Sequence, residues 1–267
     1  MWFRGGQLFR FSFVLFCMVR WPLRRVWRYE PTRIIAFILV RDIYSPLESL
    51  VRHFLSQGVP LKNIHLIDTG TTQPACLATL HELKERGCQL IEVPVSERCF
   101  GPYVPWLSRA VSAHRYASGY PFVVTDPDLM LPDAMPSDWL KRLFEALQCA
   151  PGATKAGLPL WLEDVDVSDG QAIKTHERAL AIRPLYKRLS RLLLPRLPGL
   201  CYCPTDTTLA LYRPGEIFST FGVRIHPDYA IKHLPWYQWF RDTEEFHYYS
   251  THKDQRFGQW SGTVGKG

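Results

Sequence analysis

A strand-forming segment that runs directly into two carboxylates is the feature that most constrains the fold of this chain. Residues 121–129 read Pro-Phe-Val-Val-Thr-Asp-Pro-Asp-Leu. Four apolar or β-branched residues with high strand propensity precede Asp126, and Pro127 separates that acid from Asp128. The pattern predicts a buried strand that ends at a polar edge.

The two acids at that edge are candidate metal ligands. Pro127 restricts Asp126 to an extended conformation, in which residues i and i+2 point to the same side, so that Asp126 and Asp128 converge. Paired carboxylate oxygens suit Mg²⁺ or Mn²⁺, which keep several waters and take further ligands from substrate phosphates. A simple turn is the alternative, because Asp and Pro are common turn residues.

Length and charge favour one large globular domain with local anionic partners. The chain has 267 residues, of which 46% are apolar and 21% charged. Its net charge of +7 is concentrated in residues 1–33, with seven arginines against one glutamate, and in residues 174–196, with seven basic residues against one glutamate. Two separate basic segments on an acidic remainder favour membrane phosphates, and argue against nucleic acid bound along a continuous stripe.

Residues 1–30 are predicted to lie in a membrane interface. An apolar run of nine residues, 11–19, is flanked by arginines and tryptophans, and a spanning helix needs roughly 20 apolar residues. The run lacks the small-residue cleavage site of a signal peptide. Aromatic and aliphatic side chains with a basic flank are typical of interfacial segments on anionic membranes. An amphipathic helix docked on the domain is the alternative.

Cysteine usage indicates a reducing compartment. The seven cysteines are odd in number and lack the paired short spacings of a zinc site. We therefore expect reduced thiols and a cytoplasmic protein that associates peripherally with the inner face of a membrane.

The chain before Asp126 alternates strands and helices. Residues 34–40 form a continuous apolar run typical of a strand covered on both faces. Strand patterns recur at 63–68 and 89–93, with helices predicted from Ser45 and over 75–86. This order predicts a βαβαβ nucleotide-binding unit, followed by a helix over 106–117 that leads to the Asp126 strand.

The order of these features resembles the GT-A glycosyltransferases. The resemblance lies in the polar exit Arg41-Asp42 of the first strand, the turn at residues 67–71, Arg109 in the helix before the acidic motif, and Asp126-Pro127-Asp128. It implies a three-layer α/β/α sandwich with a mixed, mostly parallel sheet. It further implies one catalytic domain over residues 31–267, divided into a nucleotide-binding half, 31–130, and an acceptor half, 131–267.

The resemblance also implies roles for single residues. Arg41 and Arg109 would contact a nucleotide-sugar donor, and Asp68 would contact its base. Asp126 and Asp128 would bind Mn²⁺ or Mg²⁺ together with the donor, and His233 would be a further metal ligand. A structural histidine is the alternative for His233.

The catalytic group is expected in the acceptor half. Asp206 lies in the polar cluster 204–208 and is the candidate general base, with Glu163 and Asp164 as rivals. A turn aspartate is the alternative for Asp206. Lys232 is expected to neutralise the leaving diphosphate.

These features predict a metal-dependent glycosyltransferase that acts on a glycan or lipid-linked acceptor at a membrane surface, in cell-surface polysaccharide synthesis. A nucleotidyltransferase is an alternative, although residues 41–45 lack the glycine-rich loop of those enzymes. A non-catalytic peripheral membrane protein is another. Residues 174–196 are interpreted as a second membrane-facing helix, a clamp for an anionic acceptor or a solvated surface helix.

Overall fold

A computed structural model of the chain describes residues 27–150, 152–182, 187, 189–190, 199–205, 208–216 and 218–252. Most of the predicted interface segment, much of the basic segment 174–196 and Asp206 lie outside the described residues. Trp27 and Tyr29 pack against the hydrophobic core, and the backbone N–H of Glu30 donates to the Tyr120 hydroxyl at 3.0 Å. Residues 27–30, which the sequence assigned to the interface segment, therefore contact the domain.

Ten strands are present in the described part of the chain, and eight of them form one mixed sheet. Their bounds are β1 Ile35–Val40, β2 Ile64–Asp68, β3 Gln89–Glu92, β4 Phe122–Thr125, β5 Leu129–Met130, β6 Lys155–Gly157, β7 Cys201–Pro204, β8 Ala210–Tyr212, β9 Phe221–Arg224 and β10 Lys232–His233. The large sheet has the order β3-β2-β1-β4-β8-β6-β9-β7, and β5 pairs with β10 in a separate ribbon.

The sheet has a parallel half and a mixed half. Strands β3, β2, β1 and β4 run parallel to one another. Strand β8 is antiparallel to both β4 and β6, β9 is parallel to β6, and β7 is antiparallel to β9. The predicted mixed α/β architecture is confirmed, with its parallel part built from residues before 126.

Helices cover both faces of the sheet. Their bounds are α1 Leu47–Ser56, α2 Pro74–Glu85, α3 Val104–Leu107, α4 Arg109–Ser118, α5 Trp139–Cys149, α6 Gly170–Ile182, α7 Gln238–Arg241 and α8 Glu244–His252, and short 3₁₀ turns lie at Pro31–Arg33, Leu61–Asn63, Val95–Tyr103, Pro227–Tyr229 and Leu234–Trp236. The helix predicted over 106–117 is interrupted at Ser108, whose backbone is extended. No helix among the described residues is both long enough and apolar enough to cross a membrane.

Side-chain alternation along β1 explains the three layers. Ala36, Ile38 and Val40 pack in one hydrophobic cluster with α1, α2 and α5, whereas Phe37 and Leu39 pack in another with α3 and α4. Successive strand residues point to opposite faces, so a continuous apolar run is stable only when both faces are covered.

Candidate active site

Strand β2 lies on one flank of β1 and β4 on the other, and the point where the chain changes sides forms a crevice at one edge of the sheet. The path runs from β1 through β2 to β3, and then returns to β4 on the other flank of β1. In open α/β sheets ligands bind outside the carboxyl ends of the strands at such a switch point. The residues that follow β1 and β4 there include Arg41, Asp42, Asp126 and Asp128.

Asp42 connects the exit of β1 to the loop after β2. Its carboxylate Oδ1 accepts hydrogen bonds from the backbone N–H groups of Thr72 at 2.6 Å and Gln73 at 2.8 Å. Its backbone is left-handed, with φ of 57°, a conformation that Asp tolerates better than most residues. Sequence reasoning treated Asp42 only as part of a polar exit, whereas the buried side chain positions a loop at the crevice.

Asp68 fixes the turn at the end of β2. Its Oδ1 accepts from the backbone N–H groups of Gly70 at 2.9 Å and Thr71 at 2.7 Å. A side chain at Gly70, which has φ of 109°, would meet the guanidinium of Arg98 at 2.9 Å. One oxygen of Asp68 is thus committed to the turn, and its contact with a nucleobase stays a prediction.

Three arginines lie around this edge. Arg98 donates from Nε to the carbonyl of Val93 at 3.1 Å, and sequence reasoning missed it because no pattern marks a single arginine in a loop. Arg41 donates from Nη2 to the carbonyl of His252 at 3.1 Å. Arg109 is exposed at the start of α4, where its backbone N–H donates to Glu97 at 3.2 Å.

Asp128 and His233 are brought together by the β5–β10 ribbon. His233 is the cross-strand partner of Leu129, and the N–H of Leu234 donates to the carbonyl of Asp128 at 2.9 Å. His233 Nε2 therefore lies 3.4 Å from Asp128 Oδ2. The structure places these two predicted metal ligands side by side.

The carboxylate of Asp128 has the properties of a cation ligand. Burial raises its pKa to about 7, and among the described residues its Oδ1 has no hydrogen-bond partner. A buried carboxylate oxygen without a partner is costly, and a bound cation would offset that cost. Carboxylate and imidazole donors suit divalent metals of the Mn²⁺ type.

Few side chains near Asp128 and His233 are available as metal ligands. In the described part of the chain, no group of three or more His, Cys, Asp or Glu side chains is arranged around a common point. Asp126 is half-buried and follows β4 directly. A cation held by these residues would take its remaining ligands from water or a bound phosphate, as Mg²⁺ and Mn²⁺ commonly do.

Helix α8 covers the crevice, which sequence reasoning did not anticipate. The buried Glu245 carboxylate accepts from the N–H groups of Tyr44 and of Ser45, the latter at 2.9 Å. The Tyr248 hydroxyl donates to Thr72 Oγ1 at 3.2 Å. Burial, followed by the charges of Asp128 and Asp126, raises the pKa of Tyr249. The helix therefore contacts the exits of β1 and β2 and lies next to the exit of β4.

Lys232, which the sequence assigned to a leaving diphosphate, is paired with Asp164 in the structure. Its ammonium forms an ion pair with Asp164 and lies 4.8 Å from the centroid of the Tyr237 ring. The Tyr237 hydroxyl donates to Asp164 at 3.0 Å. Burial alone raises the pKa of Asp164, but hydrogen bonds from Lys232 and Tyr237 outweigh burial and the pKa is lowered. The expected role of Lys232 at a diphosphate and the rival role of Asp164 as a base therefore both concern residues that are already paired with each other.

Strand β8, which follows Asp206 in the sequence, begins at the same edge of the sheet. Ala210, the first residue of β8, pairs with Val124 near the carboxyl end of β4, and Thr205 is buried against Gly157. Asp206 itself lies outside the described residues, so its predicted role as base stays a prediction.

Comparisons with known proteins give a likeness in structure that is remote. No protein-family model matches the chain, and a search of curated proteins finds no match. A solved structure of the mannosyltransferase PcManGT from Pyrobaculum calidifontis, in complex with GDP-Man and Mn²⁺, is similar at a TM-score of 0.40 and 16% identity. The alignment covers 76% of this chain and 52% of the mannosyltransferase, so the chain spans about half of that protein. At this TM-score the two structures share too little for function to be transferred.

Proposed function

We propose that this chain is a metal-dependent glycosyltransferase of the GT-A type, which transfers a sugar from a nucleotide-sugar donor to a glycan or lipid-linked acceptor. The observation that carries the proposal is the contact between Asp128 and His233 at the switch point of the sheet. A buried carboxylate with an unpaired oxygen beside an imidazole is unfavourable without a ligand and favourable with a divalent cation.

Asp128 and His233 would hold the cation directly, and Asp126, which follows β4, would contact it through water or the donor diphosphate. When bound, Mn²⁺ or Mg²⁺ supplies charge that neutralises the diphosphate of the departing nucleotide. The loops that Asp42 and Asp68 hold in place form the neighbouring wall of the crevice, where the nucleoside would bind. Arg98 and Arg109 are the proposed donors of hydrogen bonds to the diphosphate of the bound nucleotide.

Asp206 is the proposed general base, which accepts the proton of the acceptor hydroxyl. The contacts of Asp164 make it the weaker candidate, because Lys232 and Tyr237 both lower its pKa and a carboxylate with a lowered pKa is a poorer proton acceptor. The position of β8 supports Asp206, since Ala210, the first residue of β8, follows Asp206 closely in the sequence and pairs with Val124 near the edge where Asp126 lies.

We further propose that the protein acts at the cytoplasmic surface of a membrane, in cell-surface polysaccharide synthesis. The basic and aromatic composition of residues 1–30 supports a peripheral attachment to anionic lipids. A lipid-linked or membrane-bound acceptor would then be concentrated at the same surface.

Calorimetry with Mn²⁺ and a panel of nucleoside diphosphates tests the core of this proposal. We expect at least one nucleotide to bind only when Mn²⁺ is present. We expect Asp128→Asn to abolish this metal-dependent binding. Asp133→Asn is the matched control, because Asp133 is exposed in the segment after β5. Nucleotide affinity that is independent of Mn²⁺ in the unmodified protein would sink the metal assignment.

Release of a nucleoside diphosphate from nucleotide sugars distinguishes the proposed enzyme from its alternatives. A glycosyltransferase releases a nucleoside diphosphate from the nucleotide sugar. In a nucleotidyltransferase, a sugar phosphate attacks the α-phosphate of a nucleoside triphosphate and pyrophosphate is released. A non-catalytic membrane protein would give neither product, and also no metal-dependent nucleotide binding.

A further inference from the structure

A groove of about 280 Å³ opens beside the ion pair of Lys232 and Asp164. Pro132, Met135 and Trp161 contribute apolar surface to it, and Asp164, Asp228 and Lys232 contribute charged groups. Trp161 keeps 39% of its surface exposed, although aromatic side chains of this size are highly buried on average. An exposed indole next to fixed charged groups is the combination that requires explanation.

The backbone around this tryptophan is firmly held. The N–H of Trp161 donates to the carbonyl of Ile231 at 2.8 Å, and the N–H of Ile231 donates to the carbonyl of Pro159 at 3.0 Å. Trp161 is thereby fixed next to Lys232, whose strand also carries His233. The groove therefore begins one residue along the chain from a proposed metal ligand.

The charged groups of the groove are preorganised for hydrogen bonding. The Asp164 carboxylate accepts from Lys232 and Tyr237 and still has lone pairs to spare, because an ionised carboxylate offers about four acceptor positions. The Lys232 ammonium has three donors in total, and one of them reaches Asp164. Donors and acceptors that are already oriented cost little entropy when a ligand binds.

The balance of charge selects the chemical class of ligand. Asp164 and Lys232 compensate each other, and Asp228 adds a negative charge beside His226 at 3.1 Å. A phosphate or another anion would therefore be disfavoured at this groove. An apolar chain would leave the remaining donors of Lys232 and acceptors of Asp164 without partners.

We propose that this groove binds a neutral sugar ring of the acceptor. The apolar face of the ring would pack on the indole of Trp161, and its hydroxyls would bond to Asp164 and Lys232. The inference rests on the proposed function in identifying that sugar as part of an acceptor. It also gives Lys232 a role on the acceptor side of the site, separate from the donor diphosphate.

Saturation-transfer NMR with the full chain tests the groove directly. The probes are the methyl glycosides of common neutral hexoses, at millimolar concentration, without any donor. We expect at least one glycoside to bind, and Trp161→Ala to weaken it by roughly tenfold, as expected when an aromatic contact is lost. Trp161→Phe should retain most of the binding, because the aromatic face is kept.

A matched variant separates the groove from a general effect of removing an exposed indole. Trp239 is 51% exposed and does not line the groove, so Trp239→Ala should bind the glycoside like the unmodified protein. Absence of any glycoside signal in the unmodified protein would overturn the inference. Equal binding by Trp161→Ala and the unmodified protein would also overturn it, and so would equal losses in Trp161→Ala and Trp239→Ala.

Nucleotide binding in the same samples keeps the two proposals apart. Binding of Mn²⁺ and a nucleoside diphosphate without any glycoside would refute the groove and leave the proposed function standing. Glycoside binding that depends on Trp161, without metal-dependent nucleotide binding, would support the sugar site and refute the glycosyltransferase.

Discussion

The imidazole Nε2 of His233 lies 3.4 Å from the carboxylate Oδ2 of Asp128. The two residues come from distant parts of the chain, and the short antiparallel ribbon of Leu129–Met130 with Lys232–His233 brings them together. The contact links the acidic motif after β4 to the segment that leads into α7 and α8.

Substitution of His233 tests its role as a ligand. We expect His233→Asn to lower the affinity for Mn²⁺ by about tenfold or more, because even indirect partners of metal sites cost 10–100-fold when removed. Asp126→Asn should weaken metal-dependent nucleotide binding, and Asp128→Asn should abolish it. Titration of Mn²⁺ by calorimetry, with nucleotide present, measures all three variants. Unchanged affinity in His233→Asn would return this residue to a structural role.

Substitution of the proposed base should separate chemistry from binding. We expect Asp206→Asn to keep metal and nucleotide binding and to lose sugar transfer by roughly 10² to 10⁴, the range typical of general-base removal. Asp164→Asn is the comparison, since its carboxylate is already hydrogen-bonded to Lys232 and Tyr237. An inactive Asp164→Asn beside an active Asp206→Asn would reverse the assignment, and transfer by Asp206→Asn, Asp164→Asn and Glu163→Gln alike would favour a mechanism without a protein base.

Loss of Glu245 should detach α8 from the exit of β1. Glu245→Ala leaves the backbone N–H groups of Tyr44 and Ser45 without their acceptor, and we expect a loss of about 1–3 kcal/mol in the free energy of unfolding. The adjacent Glu244→Ala is the control, because Glu244 is exposed. Urea unfolding measures both variants, and equal losses would show that the buried carboxylate has no special role.

His65 should make the fold sensitive to mild acid. Burial, together with the neighbouring charge of His114, lowers the pKa of His65 to about 4. The unfolded chain therefore binds a proton near its ordinary value of about 6.5, whereas the folded chain does not until lower pH. The contribution of His65 to the free energy of unfolding is fully present above pH 6.5. It is lost as the pH falls towards 4, by up to about 3 kcal/mol. Urea unfolding at pH 7 and pH 5 should show a smaller difference for His65→Gln, and an identical difference would contradict the prediction.

Removal of the basic residues before Trp27 should abolish membrane binding and leave the domain folded. The truncation is best made after residue 26, because Trp27 and Tyr29 pack on the core. Each basic residue near an anionic surface is worth about 1 kcal/mol, so the truncated protein should no longer sediment with anionic vesicles. Neutral vesicles serve as the control for charge. Undiminished binding would point to residues 174–196 instead.

Local patterns were enough to predict the parallel half of the sheet. The apolar run of β1 and the strand before Asp126 are encoded by neighbouring residues, and a run buried on both faces requires helices on both sides. The interruption at Ser108 was missed because a single extended residue leaves the apolar spacing of the segment almost unchanged. The attachment of residues 27–30 to the domain was not predicted, because aromatic residues such as Trp27 and Tyr29 are common both in hydrophobic cores and in membrane interfaces.

The sequence by itself determined the succession of strands and helices before Asp126, the polar edge at which the Asp126 strand ends, and the residue types available there. Only the tertiary structure decided that His233 meets Asp128, that Lys232 pairs with Asp164 and that α8 covers the crevice. These contacts depend on how distant segments align, and a register shift of one residue would turn each side chain to the other face. No local spacing encodes that alignment, because it results from the packing of the whole domain.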